Sequence, residues 1–197
     1  MNKDLLKYIF KHMPTLECEN IILRPMRVSD AEDMYDYAKR PDLTRYLLWS
    51  PHPSVAYSKE FLKFVVKRYR AGDFFDWGVE EKSSGRMIGT CGFTSIDLEN
   101  GVGEIGYVIN PDFSGRGYAT EAARAVIEYG FGELSLHRIQ CRFMKGNDAS
   151  LRVAEKLGMT FEGYIRDLMY VKGAHKTIGY CSLMHDEFNY KAKENIN

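Results

Sequence analysis

The run Ser114-Gly115-Arg116-Gly117-Tyr118-Ala119-Thr120 carries the most legible chemistry in the chain. It separates a strand-like segment from a pattern of helical period. Glycines have no side chain, so backbone N–H groups there can approach a ligand closely. The first turn of the following helix leaves N–H donors unpaired, and the helix dipole favours an anion. Together these features make a phosphate cradle, with the charge of Arg116 beside it. A Walker A loop requires Gly-Lys-Ser/Thr, which Gly117-Tyr118-Ala119 does not supply. A dinucleotide loop requires a third glycine where Thr120 stands. A tight strand-to-helix turn that binds nothing is the alternative reading.

Glu104 is a second candidate, a carboxylate within a run of apolar or small residues. With a period of two, Glu104, Gly106 and Val108 share one strand face, and Ile105, Tyr107 and Ile109 the other. The carboxylate therefore faces either solvent or a cleft. Cys18, Cys91, Cys141 and Cys181 are far apart, with no CxxC pair and no histidine at ligand spacing. They predict reduced, mostly buried thiols, and neither a metal site nor a disulfide framework.

The elements that must position these residues follow from pattern and punctuation. A first strand is expected over Asn20 to Arg27. Ser29, with Glu32 three residues on, reads as the N-cap of a helix carrying Ala31, Met34, Tyr35 and Ala38, and Pro41 stops it. An aromatic, proline-rich loop runs from Tyr46 to Pro53. Ser54 then opens a helix whose apolar positions include Tyr57, Phe61, Leu62, Phe64 and Val65. Asp76 to Glu81, Arg86 to Asp97 and Gly101 to Asn110 read as an antiparallel meander, with turns at Ser83-Ser84-Gly85 and Glu99-Asn100-Gly101. A helix over Tyr118 to Glu133, a strand over Arg138 to Met144 and a short helix over Asp148 to Leu157 follow. Two strands, Thr160 to Val171 and Thr177 to Asp186, complete the order β-α-α-β-β-β-α-β-α-β-β. That order predicts an α/β fold of mixed α+β type: a central, mostly antiparallel sheet of about seven strands with helices on both faces.

Lys plus Arg and Asp plus Glu each number 27, so the formal charge is zero. Such a chain has no global field to hold a polyanion, and nucleic acid is not expected as a main partner. Hydrophobic residues at 45% and charged residues at 27% fit a globular protein rather than a disordered one. No run approaches the roughly 20 apolar residues of a membrane span. Asp4 and Lys7 spoil the opening segment as a signal peptide. A cytoplasmic protein without a membrane partner is the expectation. One domain is expected over residues 18–190, between a helical lead-in at 1–17 and a polar tail at 191–197. Within the lead-in, Leu5, Leu6, Ile9 and Phe10 are spaced to dock an amphipathic turn.

Over about Glu19 to Phe188 the sequence resembles the GNAT superfamily of acetyl-CoA-dependent N-acyltransferases, most of all the branch of ribosomal-protein N-terminal acetyltransferases. The matching pieces are Ile22-Leu23-Arg24-Pro25, Ile88-Gly89, Gly103-Glu104-Ile105-Gly106-Tyr107, the loop Gly115 to Ala122, Asn147-Asp148-Ala149-Ser150 and Lys156-Leu157-Gly158-Met159. The resemblance implies a GNAT-like fold and transfer of acetyl from acetyl-CoA to an amine by direct attack. Gly115, Arg116, Gly117, Tyr118, Ala119 and Thr120 would hold the CoA pyrophosphate, although Ser114 stands where the family pattern has Gln or Arg. The backbone of Val108 and Ile109 would bond the pantetheine arm, and Asn147 and Ser150 would contact the cofactor near its thiol. The tyrosine that many members carry seven residues after that Asn is replaced by Ala154, which leaves Ser150 as the candidate proton donor to the leaving thiolate. Glu104 would be the general base. Tyr46, Trp49 and His52 fall where the family shapes its acceptor pocket. The acceptor would be a peptide N-terminus or a small molecule such as a polyamine, amino sugar or antibiotic, and the enzyme a monomer or homodimer needing no metal. A non-catalytic acyl-CoA sensor is the rival from another class. An α-amine, with its pKa of about 7.7–8.0, suits a carboxylate base better than a lysine side chain near 10.4.

Overall fold

The computed structural model describes residues 2–188. The tail at 191–197 lies outside the described residues. A single eight-stranded sheet runs β1 (Leu16–Glu17), β2 (Ile21–Arg24), β3 (Asp76–Glu81), β4 (Met87–Asp97), β5 (Val102–Ile109), β6 (Arg138–Met144), β8 (Ala174–Met184), β7 (Thr160–Val171). Every pairing is antiparallel except β5 with β6. The helices are α1 (Lys3–Lys11), α2 (Ala31–Ala38), α3 (Pro41–Thr44), α4 (Val55–Ala71), α5 (Tyr118–Gly132) and α6 (Asp148–Lys156). α1, α2 and α4 pack together, as do α5 and α6. Phe93 of β4 points at Gly130 of α5, whereas its neighbour Gly92 faces Asp76 and the side on which Tyr69 of α4 lies. Helices therefore cover both faces of the mixed sheet.

The meander and the central helix fall within a residue or two of expectation, because period-two alternation and glycine turns fix them locally. The structure adds local detail at four places. The sheet has an eighth strand, Leu16–Glu17, which is too short to show a period. Asp30, not Ser29, stands at the N-cap of α2, and its carboxylate serves the 3-10 turn Val28–Asp30 before the helix: it accepts from the Arg27 N–H at 2.6 Å and takes two bonds from the buried Arg24. α2 ends at Ala38, before Pro41, and Pro41 then opens the short helix α3 ahead of the Tyr46 to Pro53 loop, because its fixed φ suits a first helical position. On α4, Leu62 and Val65 are buried, but Tyr57, Phe61 and Phe64 are exposed, so the aromatics lie off the core-facing stripe.

Ser54 does cap α4, its hydroxyl accepting from the Tyr57 N–H at 3.2 Å. The lead-in forms the full helix α1 and buries Leu6 and Phe10.

Candidate active site

The site is made by two strands that part company. β5 pairs with β4 along its whole length, to Ile109, but with β6 only from Val102 to Ile105, opposite Arg138 to Cys141. β6 continues through Arg142, Phe143 and Met144 as the partner of β8. From Gly106 onward the β5 edge therefore has no β6 partner, and a cavity of about 720 Å³ opens at the divergence. Gly106, Tyr107 and Val108 line one wall, and Cys141 to Met144 another.

At the far end of the β5 edge lies the glycine loop. Gly115 has φ +80° and Gly117, the N-cap of α5, has φ +87°. Both are in the left-handed region that favours glycine. A Cβ at either would meet nothing within 4 Å, so the space over the loop is open. The loop is braced from outside. Arg116 pairs with Glu81 at 3.1 Å and lies over the Phe113 ring at 5.2 Å. The Tyr118 hydroxyl donates to the same Glu81 carboxylate at 2.7 Å, and the Ser84 hydroxyl donates to its other oxygen at 2.7 Å. Hydrogen bonds from Ser84 and Tyr118 hold the Glu81 carboxyl below the usual carboxylate range. Buried Asn110 takes the turn before the loop, donating to Asp36 at 3.1 Å and accepting from the Asp112 N–H at 3.1 Å.

At the cavity's other end, Asn147 caps α6 through its Oδ1, which accepts the Ser150 N–H at 3.3 Å. The Ser150 carbonyl accepts the Tyr107 hydroxyl at 3.0 Å, tying α6 to β5. Asn147 and Ser150 both line the cavity. Ala154 is fully buried, so no phenol projects from that position.

Of the three loop residues, Tyr46 and Trp49 line the cavity. A Cβ built at Gly146, beside Asn147, would lie 3.6 Å from the Tyr46 hydroxyl, which sets Tyr46 over the α6 cap. His52 is not among the lining residues. It is buried, its Nδ1 lies 2.8 Å from the Ser58 hydroxyl, and Trp49, Tyr57 and Phe61 surround its ring. Burial holds its pKa below the usual histidine value.

Glu104 is only 6% exposed and faces the cavity. It is fully engaged: Arg142 Nε is 3.0 Å from Oε1, the Thr94 hydroxyl donates to Oε1 at 2.8 Å and Gln140 donates to Oε2 at 3.3 Å. Two further acids line the cavity, Asp73 and Asp76. Asp73 pairs with Arg68 at 2.6 Å. Asp76 is a site residue that sequence reasoning missed. It lies across β4 from Gly106, in the row Asp76–Gly92–Gly106. A Cβ at Gly92 would overlap the Phe75 carbonyl oxygen and Asp76 Cα and sit 2.9 Å from Asp76 Oδ1, so the glycine admits the β3 backbone and its carboxylate together. Burial pushes the Asp76 carboxyl up to about 7, against hydrogen bonds from the Thr90 side chain and the Trp77 backbone.

Residues 20–160 match the family model described as an acetyltransferase (GNAT) domain. The chain is 32% identical over 176 residues to p20 of Bacillus licheniformis, an uncharacterized N-acetyltransferase; the match covers 89% of this chain and 99% of p20. It is 31% identical to YdaF of Bacillus subtilis, provisionally named a ribosomal N-acetyltransferase, over 86% of this chain and 94% of YdaF. It is 24% identical to the spermidine N(1)-acetyltransferase of Escherichia coli, over 84% and 87% of the two chains. A solved GNAT-family acetyltransferase from Bacillus anthracis superposes with a TM-score of 0.78 at 28% identity, covering 88% of this chain and all of that one. With its parted strands, glycine loop and sequence match, the chain belongs to the GNAT acetyltransferase family and is an N-acetyltransferase of that family. Among the described residues no helix is long and apolar enough to cross a membrane, and no group of three or more His, Cys, Asp or Glu is placed to hold a metal ion.

Proposed function

We propose that the chain transfers acetyl from acetyl-CoA to an amine in a ternary complex, and that the acceptor is the α-amine of a peptide or protein N-terminus. The observation that carries this reading is the divergence of β5 from β6 at Ile105 and Cys141, which leaves a free strand edge between a glycine cradle and the α6 cap. The free edge at Val108 and Ile109 offers backbone donors and acceptors to the pantetheine amides. Gly115 to Thr120 supply unpaired N–H groups to the pyrophosphate, and Glu81 keeps Arg116 and Tyr118 in place beside them. When bound, acetyl-CoA supplies the thioester carbonyl carbon that is attacked and the thiol that leaves. Ser150, on the cavity wall one turn into α6, delivers a proton to the departing sulfur. Tyr46 and Trp49 shape the acceptor end, and the reaction belongs to the cytoplasm.

The charge of the cavity supports a cationic acceptor. Asp73, Asp76 and Glu104 carry acid, Arg68 and Arg142 carry base, and one carboxylate is left over. A polyamine is the second reading, favoured by the spermidine acetyltransferase relative. The test is release of free CoA thiol from acetyl-CoA with separate panels of Nα-free peptides and polyamines. Release with peptides and loss of release after N-terminal blocking support the reading. Release with spermidine alone moves the acceptor to the second reading, and a protein that binds CoA but releases none with any amine is a sensor.

A further inference from the structure

The structure assigns the deprotonation of the acceptor amine to Asp76, with Glu104 holding Arg142 in place. This assignment rests on the acetyl-transfer reading above and names the base within it. Of the three cavity acids, two are spoken for: Glu104 accepts from Arg142, Thr94 and Gln140, and Asp73 accepts from Arg68. Asp76 has no arginine or lysine partner, and its Oδ1 is buried with no hydrogen-bond partner among the described residues. An unpaired buried carboxylate oxygen is costly to a fold, and a functional group is a common reason for tolerating one.

The hydrogen bonds that do reach its carboxylate, from the Thr90 side chain and the Trp77 backbone, bring no positive charge. Gly92 and Gly106 lie beside it in the same row of the sheet, so neither residue of that row puts a side chain between the carboxylate and the parted edge of β5, where the Thr94 side chain packs over Gly106. The titratable groups that feel its charge are Tyr37 of α2, Tyr69 of α4 and Cys91 of β4. Burial raises all three, so they stay neutral and offer Asp76 no counter-charge. The Tyr69 hydroxyl is committed to the Asp76 backbone carbonyl at 2.6 Å. The Arg68–Asp73 pair at the end of α4 neutralises itself. A protonated amine is the ligand that such a site takes. An acid with a pKa of about 7 is also within about one unit of an α-amine at 7.7–8.0, and more than three from a lysine at 10.4.

The step balances. The ammonium gives one proton to Asp76, and the free amine attacks the thioester carbonyl carbon. The N–C bond forms and the C–S bond breaks. The sulfur leaves with the electron pair and takes a proton from the Ser150 hydroxyl, and the second proton that the nitrogen loses to become the amide restores that hydroxyl through solvent in the cavity. The proton on Asp76 passes to solvent through the cavity.

The test compares wild type, Asp76→Asn and Glu104→Gln between pH 6 and 9.5. The probes are an Nα-free, lysine-free peptide and an Nα-acetylated lysine peptide, with CoA binding followed by calorimetry. Asp76→Asn should lower kcat/KM for the free peptide at pH 7 by roughly 10²-fold or more. The deficit should narrow toward pH 9.5, where the amine deprotonates itself, and CoA affinity should change less than twofold. Difference infrared spectra of wild type minus Asp76→Asn should show a carboxylate titrating near pH 7 in the folded protein, which needs no turnover. Near-normal kcat/KM for Asp76→Asn at pH 7, a deficit that does not change with pH, or a larger pH-dependent deficit in Glu104→Gln overturns the assignment while leaving acetyl transfer standing. A wild type that turns over no amine overturns both.

Discussion

Asp76 is the cavity acid whose burial ties the stability of the fold to pH. Asp76 has its folded pKa raised to about 7, above an unfolded value of about 3.9. The folded state therefore holds a proton that the unfolded state has lost. Stability falls as pH rises from about 4 to about 7 and is level above that. Asp76→Asn removes this slope. Measured by urea unfolding, the variant should gain stability relative to wild type as pH rises through that window, with the difference flat between pH 8 and 9. A difference that stays constant from pH 4 to 8 would mean that Asp76 ionises normally in the fold. At this scale the sequence was only partly legible. Glu104 stood out because it interrupts an apolar strand. Asp76 did not, because an acid ahead of Trp77 reads as a turn residue at a strand start. Its chemistry is set by glycines 16 and 30 positions further along, brought beside it by the register of β3, β4 and β5.

Elements add what residues alone do not. The glycine loop was legible because its ingredients are contiguous: a strand end, two glycines and a helix start. The parting of β5 and β6 was not, since it depends on where two strands separated by a whole helix stop pairing. The α4 aromatics show a similar limit. Tyr57, Phe61 and Phe64 fit a helical period, but which stripe faces the core is decided by the helices packed against it, α2 and α1. The cradle makes a prediction with an internal control. Gly117→Ala and Gly85→Ala both place a Cβ in open space at positive φ, +87° and +66°, so each should cost stability by about 1–3 kcal/mol from backbone strain. Only Gly117 lies in the loop over which the pyrophosphate is proposed to sit. Gly117→Ala should weaken CoA binding more than tenfold, or above about 1.4 kcal/mol, while Gly85→Ala leaves it unchanged. Equal CoA affinity in the two variants, measured by calorimetry on folded protein, would remove the loop from the binding site.

On the scale of the whole molecule, the N-terminal helix is joined to the strand that carries Asp76. Phe10 is fully buried, with its ring 4.5 Å from that of Phe75 and 5.8 Å from that of Trp77, the two residues flanking Asp76. Trp77 Nε1 also donates to the Pro14 carbonyl at 2.8 Å, and the Lys7 backbone presses on Gly72 at the end of α4 so closely that a Cβ there would overlap it. α1 thus clamps the start of β3 and the end of α4, while the glycine loop is braced separately by Glu81 and Asn110. The two halves of the proposed site should then fail separately. Phe10→Ala should cost about 3–5 kcal/mol of stability, as a large aromatic removed from a packed core does. In protein that remains folded at low temperature, loosening around Phe75 and Trp77 should lower kcat/KM for the amine severalfold or more. CoA affinity, set at the far end of β5, should stay within about twofold of wild type, since sites without shared partners act almost independently. CoA affinity that falls in step with kcat/KM would show instead that α1 supports the cavity as one unit.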